Sequence, residues 1–228
     1  FWRAFEAWAL PSACLGCDAP APAETLLCAP CRALLRPAPA MPAALSGFGG
    51  TVHAAFRYDA GSAPLLTRYK FRDDLAAGRA LAELSLPALR EAPRPQALVP
   101  VPLHRERLRQ RGHDQALGLA RDWGRTLRLP VLADTLRRER DTRPQTELDV
   151  GERRRNLDMA FRMHAPCPAH VTLVDDVLTT GSTATAAVRA LRAAGAERVD
   201  VWVVARATLR TGSARPTKGV DPSGAATC

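Results

Sequence analysis

Thirteen residues, Val171 to Thr183, restrict the fold of this chain more than any others: VTLVDDVLTTGST joins a short apolar run, two adjacent aspartates and a hydroxyl-rich turn around one glycine. The run ending at Val174 suits a buried parallel strand, and the alanine-rich stretch from Ser182 to Ala194 suits a helix closed by Gly195. The turn between them sits where a strand meets a helix N-terminus. There Thr179, Thr180, Gly181, Ser182 and Thr183 offer backbone N–H groups, hydroxyls and the positive end of a helix dipole to one phosphate. Gly181 lets the backbone approach it. Asp175 and Asp176 stand just upstream, at the strand's carboxyl end, where an open α/β sheet keeps its ligand crevice; two carboxylates there can accept hydrogen bonds from a diol. A phosphate held beside a diol describes ribose 5-phosphate. A P-loop would need a Lys after its second Gly, and a dinucleotide fingerprint three spaced glycines.

Other segments fit the same plan. Ala97 to Val101 and Val199 to Ala205 read as strands and Asp114 to Leu127 as a helix. Strands alternating with helices imply an α/β fold with a parallel, Rossmann-like sheet. Pro37, Pro39 and Pro42 mark one linker and Glu91 to Gln96 another. The resulting division is residues 1–42 with four of the six cysteines, a connecting or hood segment over 43–94, a core over 95–210, and a tail over 211–228 whose composition suggests disorder. No apolar run is long enough to span a bilayer. The opening FWRAFEAWALP has apolar residues at helical spacing and lacks the n-region and cleavage site of a signal peptide, so it is expected to be a helix packed on the protein.

The net charge of +9 is carried almost wholly by arginine, since Lys70 and Lys218 are the only lysines. Arginine's planar fork suits phosphates, and a basic surface also attracts nucleic acid. A coding bias toward alanine and arginine would give the same balance, so charge alone does not separate a small phosphorylated ligand from DNA.

Cys14, Cys17, Cys28 and Cys31 form two CxxC knuckles ten residues apart. That spacing presents four thiolates to one tetrahedral ion, a zinc-ribbon-like pattern whose metal is structural because no coordination position stays open. Two disulfides are the competing reading, disfavoured in a reducing compartment, and a cytoplasmic location is expected. Cys167 and Cys228 take no role.

Two arginine-rich stretches remain. Leu98 to Ala120 begins as a strand, breaks at Pro100 and Pro102, and then carries His104 and arginines at 105, 107, 109 and 111, on the same sheet edge as the aspartates. There they could neutralise a pyrophosphate, or simply form a solvated face. Arg137 to Phe161 is a long charged stretch that suits a lid over pyrophosphate or plain surface. In YKFRDD, the survival of Lys70 among so many arginines hints that a compact ammonium matters.

Val171 to Thr183 resembles, at every position, the phosphoribosyl-pyrophosphate (PRPP) signature of type I phosphoribosyltransferases. The cysteine knuckles, YKFRDD, the PVPLH–arginine segment, TRPQTELDVGERRRNL and this signature follow the order seen in the ComF (competence protein F, GntX-like) family, which the chain resembles from about Cys14 to Arg206. The resemblance implies a type I phosphoribosyltransferase fold behind a zinc module. It implies a PRPP loop at Asp175 to Thr183, a pyrophosphate loop around Pro102, His104 and Arg105, and a flexible loop with Gln145, Arg153 and Asn156. Gly112 to Gln115 reads GHDQ, where the family usually shows Gly, an aromatic, Asn and Gln. The activity implied is magnesium-assisted transfer of ribose 5-phosphate to an amine or nucleobase, with Asp175 and Asp176 as the catalytic anchors. The alternative is a non-catalytic nucleotide-binding adaptor that contacts single-stranded DNA or uptake proteins. An acceptor is expected under a hood made by the cysteine module, the linker and residues after Arg206. The oligomeric state is not legible.

Overall fold

The computed structural model describes residues 13–21, 25–40, 50–72, 74–103, 108–109, 112–138 and 161–207. The readings placed on 1–11, 139–160 and 211–228 lie outside the described residues, as do those on His104, Arg105, Gln145, Arg153 and Asn156. In chain order the elements are α1 (Ala29–Ala33), β1 (Val52–Arg57), α2 (Ala63–Phe71), α3 (Leu75–Arg90), β2 (Ala97–Pro100), α4 (Gln115–Leu127), β3 (Leu136–Arg138), β4 (Phe161–Met163), β5 (His170–Leu178), α5 (Ser182–Ala193) and β6 (Arg198–Arg206).

Four strands pair in the order β1-β6-β5-β2, every pair parallel, with Val174 opposite Trp202 and Ala97 opposite Val171. Both faces are covered, which is why β2, β5 and β6 read as near-continuous apolar runs. Alternation divides their side chains between two cores. Val99, Leu173, Val201 and Val203 meet α5 and the antiparallel β3–β4 pair, while Leu98, Val174, Trp202 and Val204 meet α2, α3 and α4. In the second core the Trp123 and Trp202 rings cross edge to face with centroids 6.4 Å apart, and Trp123 Nε1 donates to the Ala82 carbonyl at 3.0 Å.

Two expectations need correction. The stretch 43–94, read as a connection, contains β1, an edge strand of this same sheet; VHAAFR holds two alanines and a histidine, so no apolar run announces it. The signature strand does not stop at Val174 but continues to Leu178, so both aspartates lie inside the pairing with β6. The outer edge of β1 is itself covered, because Ala38 N–H donates to the Ala55 carbonyl at 3.0 Å and Arg57 N–H to the Arg36 carbonyl at 2.9 Å. No helix among the described residues is long and apolar enough to cross a membrane.

Candidate functional site

The two cysteine knuckles close on each other. All four Sγ atoms of Cys14, Cys17, Cys28 and Cys31 lie within 4.8 Å of one another, and each of these thiols is free. Gly16 and Cys28 backbone N–H groups each reach Cys14 Sγ at 3.3 Å. Burial opposes ionisation of Cys14, but the N–H groups of Cys28, Gly16 and Cys17 outweigh it and lower the thiol to about 6. Burial and the neighbouring sulfurs raise Cys31 instead, so a full set of thiolates needs a cation to form. The chain also leaves room for the sulfurs: a Cβ on Gly16 would lie 2.9 Å from Cys31 Sγ. Four converging soft donors fit a metal such as zinc and leave no open position for chemistry.

This module is tied to the core through Arg68 of α2, which reaches Asp18 at 2.6 Å and Asp74 at 2.8 Å. Two residues on, the same helix delivers Lys70, whose Nζ lies 2.9 Å from Asp176 Oδ2. Successive strand residues point to opposite faces, so Asp176 follows Val174 toward α2, and Asp175 follows Leu173 toward the α5 side. Asp176 N–H donates to Asp175 Oδ1 at 2.8 Å. Burial, with the Asp176 charge close by, raises the Asp175 carboxyl well above the usual carboxylate range.

Lys70, Pro102, Gln115, Asp175, Asp176 and Thr183 all line one cavity of about 180 Å³ at the carboxyl end of the sheet. Thr179, Thr180, Gly181 and Ser182 form the adjoining turn. Gly181 takes a left-handed φ of 75° as the N-cap of α5 and gives the helix no side-chain cap. Thr180 Oγ1 lies 3.1 Å from Ser182 Oγ, and Thr185 Oγ1 donates to the Gly181 carbonyl at 2.9 Å. The start of α5 thus faces the end of β5 with hydroxyls on both sides of the turn.

Several supports were not legible beforehand. Asp114 caps α4 by accepting from Leu117 N–H at 2.9 Å through Oδ1, and holds the loop after β2 by accepting from Leu103 N–H at 3.1 Å through Oδ2. Its position before a helix signalled the cap; nothing local signalled the second bond. An asparagine has one acceptor oxygen and could not place one on each amide in this way. Tyr69, beside Lys70, donates from its hydroxyl to the Gln115 carbonyl at 2.9 Å and packs against His113 with centroids 5.1 Å apart. Arg138, from β3, also lines the cavity and lies over the Phe161 ring at 5.7 Å.

No family model matches the chain. Competence protein F of Haemophilus influenzae is 38% identical over 153 residues, which cover 63% of this chain and 67% of that protein. DNA utilization protein YhgH of Escherichia coli K12 is 35% identical over 150 residues, covering 63% and 66% of the two chains. The same-named protein of Salmonella typhimurium is 36% identical over 151 residues, covering 62% and 66%. The chain therefore spans about two thirds of these relatives. That identity over that share of a curated relative places the protein in the ComF (competence protein F) family.

Proposed function

We propose that this chain binds PRPP with magnesium at the carboxyl end of β5 and transfers its ribose 5-phosphate to an amine or nucleobase, in support of DNA uptake or utilisation. The observation that carries the reading is the meeting of Asp175 and Asp176 with an uncapped helix start in one polar corner. Backbone N–H groups from Thr179 to Thr183 would hold the 5-phosphate. Asp175 and Asp176 would accept from the ribose hydroxyls, with Lys70 keeping Asp176 ionised and in place. Ionising the buried Asp175 is favoured once a ligand's donors reach it. The loop at Pro102 and Leu103, held by Asp114, would border the pyrophosphate. Magnesium, when bound with PRPP, lowers the charge on the departing pyrophosphate. The cysteine site would hold structural zinc.

The names of the relatives, competence protein F and DNA utilization protein YhgH, support the DNA context and favour a second reading, an adaptor that binds PRPP or a nucleotide without turning it over. Calorimetry with PRPP and magnesium, followed by a pyrophosphate-release screen over bases and amines, separates the two. Binding lost in Asp175→Asn with Asp176→Asn, together with release for some acceptor, is the expected result. Binding with no release in any case selects the adaptor, and no binding removes the pocket assignment.

A further inference from the structure

A larger cavity, of about 720 Å³, adjoins the smaller one. Both are bordered by Pro102, Leu103, Asp114 and Arg138, and His113 Nε2, facing the larger, lies 3.2 Å from Gln115 Nε2, facing the smaller. Its walls come from α2, α4, β3 and the loop after β2, so it opens beyond the β2 edge. Leu75 and Leu108 line it while 58% and 40% exposed. Apolar side chains left in water like this gain free energy when a ring covers them. Arg121 and Arg137 line the same space, and among the described residues neither is in an ion pair. Of the two carboxylates present, Asp114 is committed to two backbone amides, which leaves Asp134 against three arginines.

We propose that this second cavity binds a nucleoside monophosphate, with the base against Leu75 and Leu108 and the phosphate on Arg121 and Arg137. The size argues for a whole nucleotide, since pockets of about 300–1,000 Å³ enclose complete small ligands. The charge argues for a phosphate, because guanidinium groups bind it through paired donors. The proposal takes the smaller cavity as the PRPP site and puts the nucleotide next to it across Pro102 and Leu103, not under the cysteine module.

Fluorescence anisotropy of adenosine monophosphate carrying a methylanthraniloyl label, titrated with the full chain, tests this. Saturable binding is expected, competed by unlabelled adenosine monophosphate but not by adenosine or inorganic phosphate, and retained in Asp175→Asn with Asp176→Asn. Arg121→Glu with Arg137→Glu should weaken it by about tenfold or more, the loss of one charge-assisted contact, while PRPP binding measured by calorimetry persists and shows that the variant folds. Absence of saturable binding overturns the proposal. So does displacement by PRPP together with loss in the aspartate variants, which would put the nucleotide in the smaller cavity. Nucleotide binding in a chain that fails to bind PRPP upholds the second site and removes only the PRPP reading.

Discussion

Gly118 of α4 is the position where one methyl group should do most harm. A Cβ there would lie 2.3 Å from the Tyr69 hydroxyl oxygen, while the next nearest atom, Tyr69 Cζ, is at an ordinary 3.6 Å. The ring cannot slide away, because a Cβ on Gly78 of α3 would already lie 2.4 Å from Tyr69 Cε2 on its other flank. The clash is thus with a single oxygen, and that oxygen is donating to the Gln115 carbonyl at 2.9 Å. Overpacking costs about 1–3 kcal/mol, and a displaced buried hydroxyl about 1–3 kcal/mol. Alanine returns about 0.5–1 kcal/mol over glycine inside a helix. Gly118→Ala should therefore destabilise the chain by about 2 kcal/mol, read as a lower urea midpoint at unchanged slope. Removing the oxygen reverses the sign. In a Tyr69→Phe background the same substitution should be neutral or stabilising by up to about 1 kcal/mol. An equal loss in both backgrounds would refute the geometry.

Other consequences can be checked in parallel. Asp175 has a folded pKa above its unfolded one, so its favourable contribution is complete below the unfolded pKa and is lost as pH rises through the folded value. Asp175→Asn should thus raise Tm at neutral pH, with the gain shrinking in acid, even as PRPP binding falls; a lower Tm at pH 7 counts against the burial argument. Asp200 behaves oppositely. Burial opposes its charge, but Thr51 N–H at 2.8 Å, His170 at 2.8 Å and Arg198 at 3.0 Å hold it below its unfolded 3.8, so its contribution is present above 3.8 and lost as pH falls through the folded value. Asp200→Asn should cost stability at pH 7 and converge on the parent chain as pH drops below that range, which pH-dependent thermal melts would read. Asp114→Asn should keep the α4 cap but release Leu103, at a cost of about 0.5–1.5 kcal/mol and with faster amide exchange at Leu103. Thiol-release colorimetry should find about one zinc ion per chain, and Cys31→Ser should lower that content; a parent chain with none would reject the metal assignment.

Strands β5 and β6 were legible because β-branched runs bounded by turn residues have few other uses. The cysteine cluster was legible because CxxC spacing constrains where sulfurs point. Lys70 stood out as a lone lysine, and the structure pairs it with Asp176. What stayed hidden depends on distant partners. Strand β1 is recruited by β6 and not by its own hydrophobicity, and the slot for Tyr69 needs glycines from two other helices. Asp114 gains its second bond only when the chain after β2 folds back over α4. The two cavities likewise belong to side chains from several elements that no local window contains.

The strap over 36–38 that lies along β1 follows directly on the last cysteine knuckle and α1. Its two backbone bonds occupy the side of the strand on which another chain would otherwise add. Releasing the metal would loosen the anchor from which the strap is strung and bare an open ladder to neighbouring molecules. The cysteine cluster, remote from any reaction, would then act as a guard against self-association, and chelation would be seen first as light scattering rather than as lost activity.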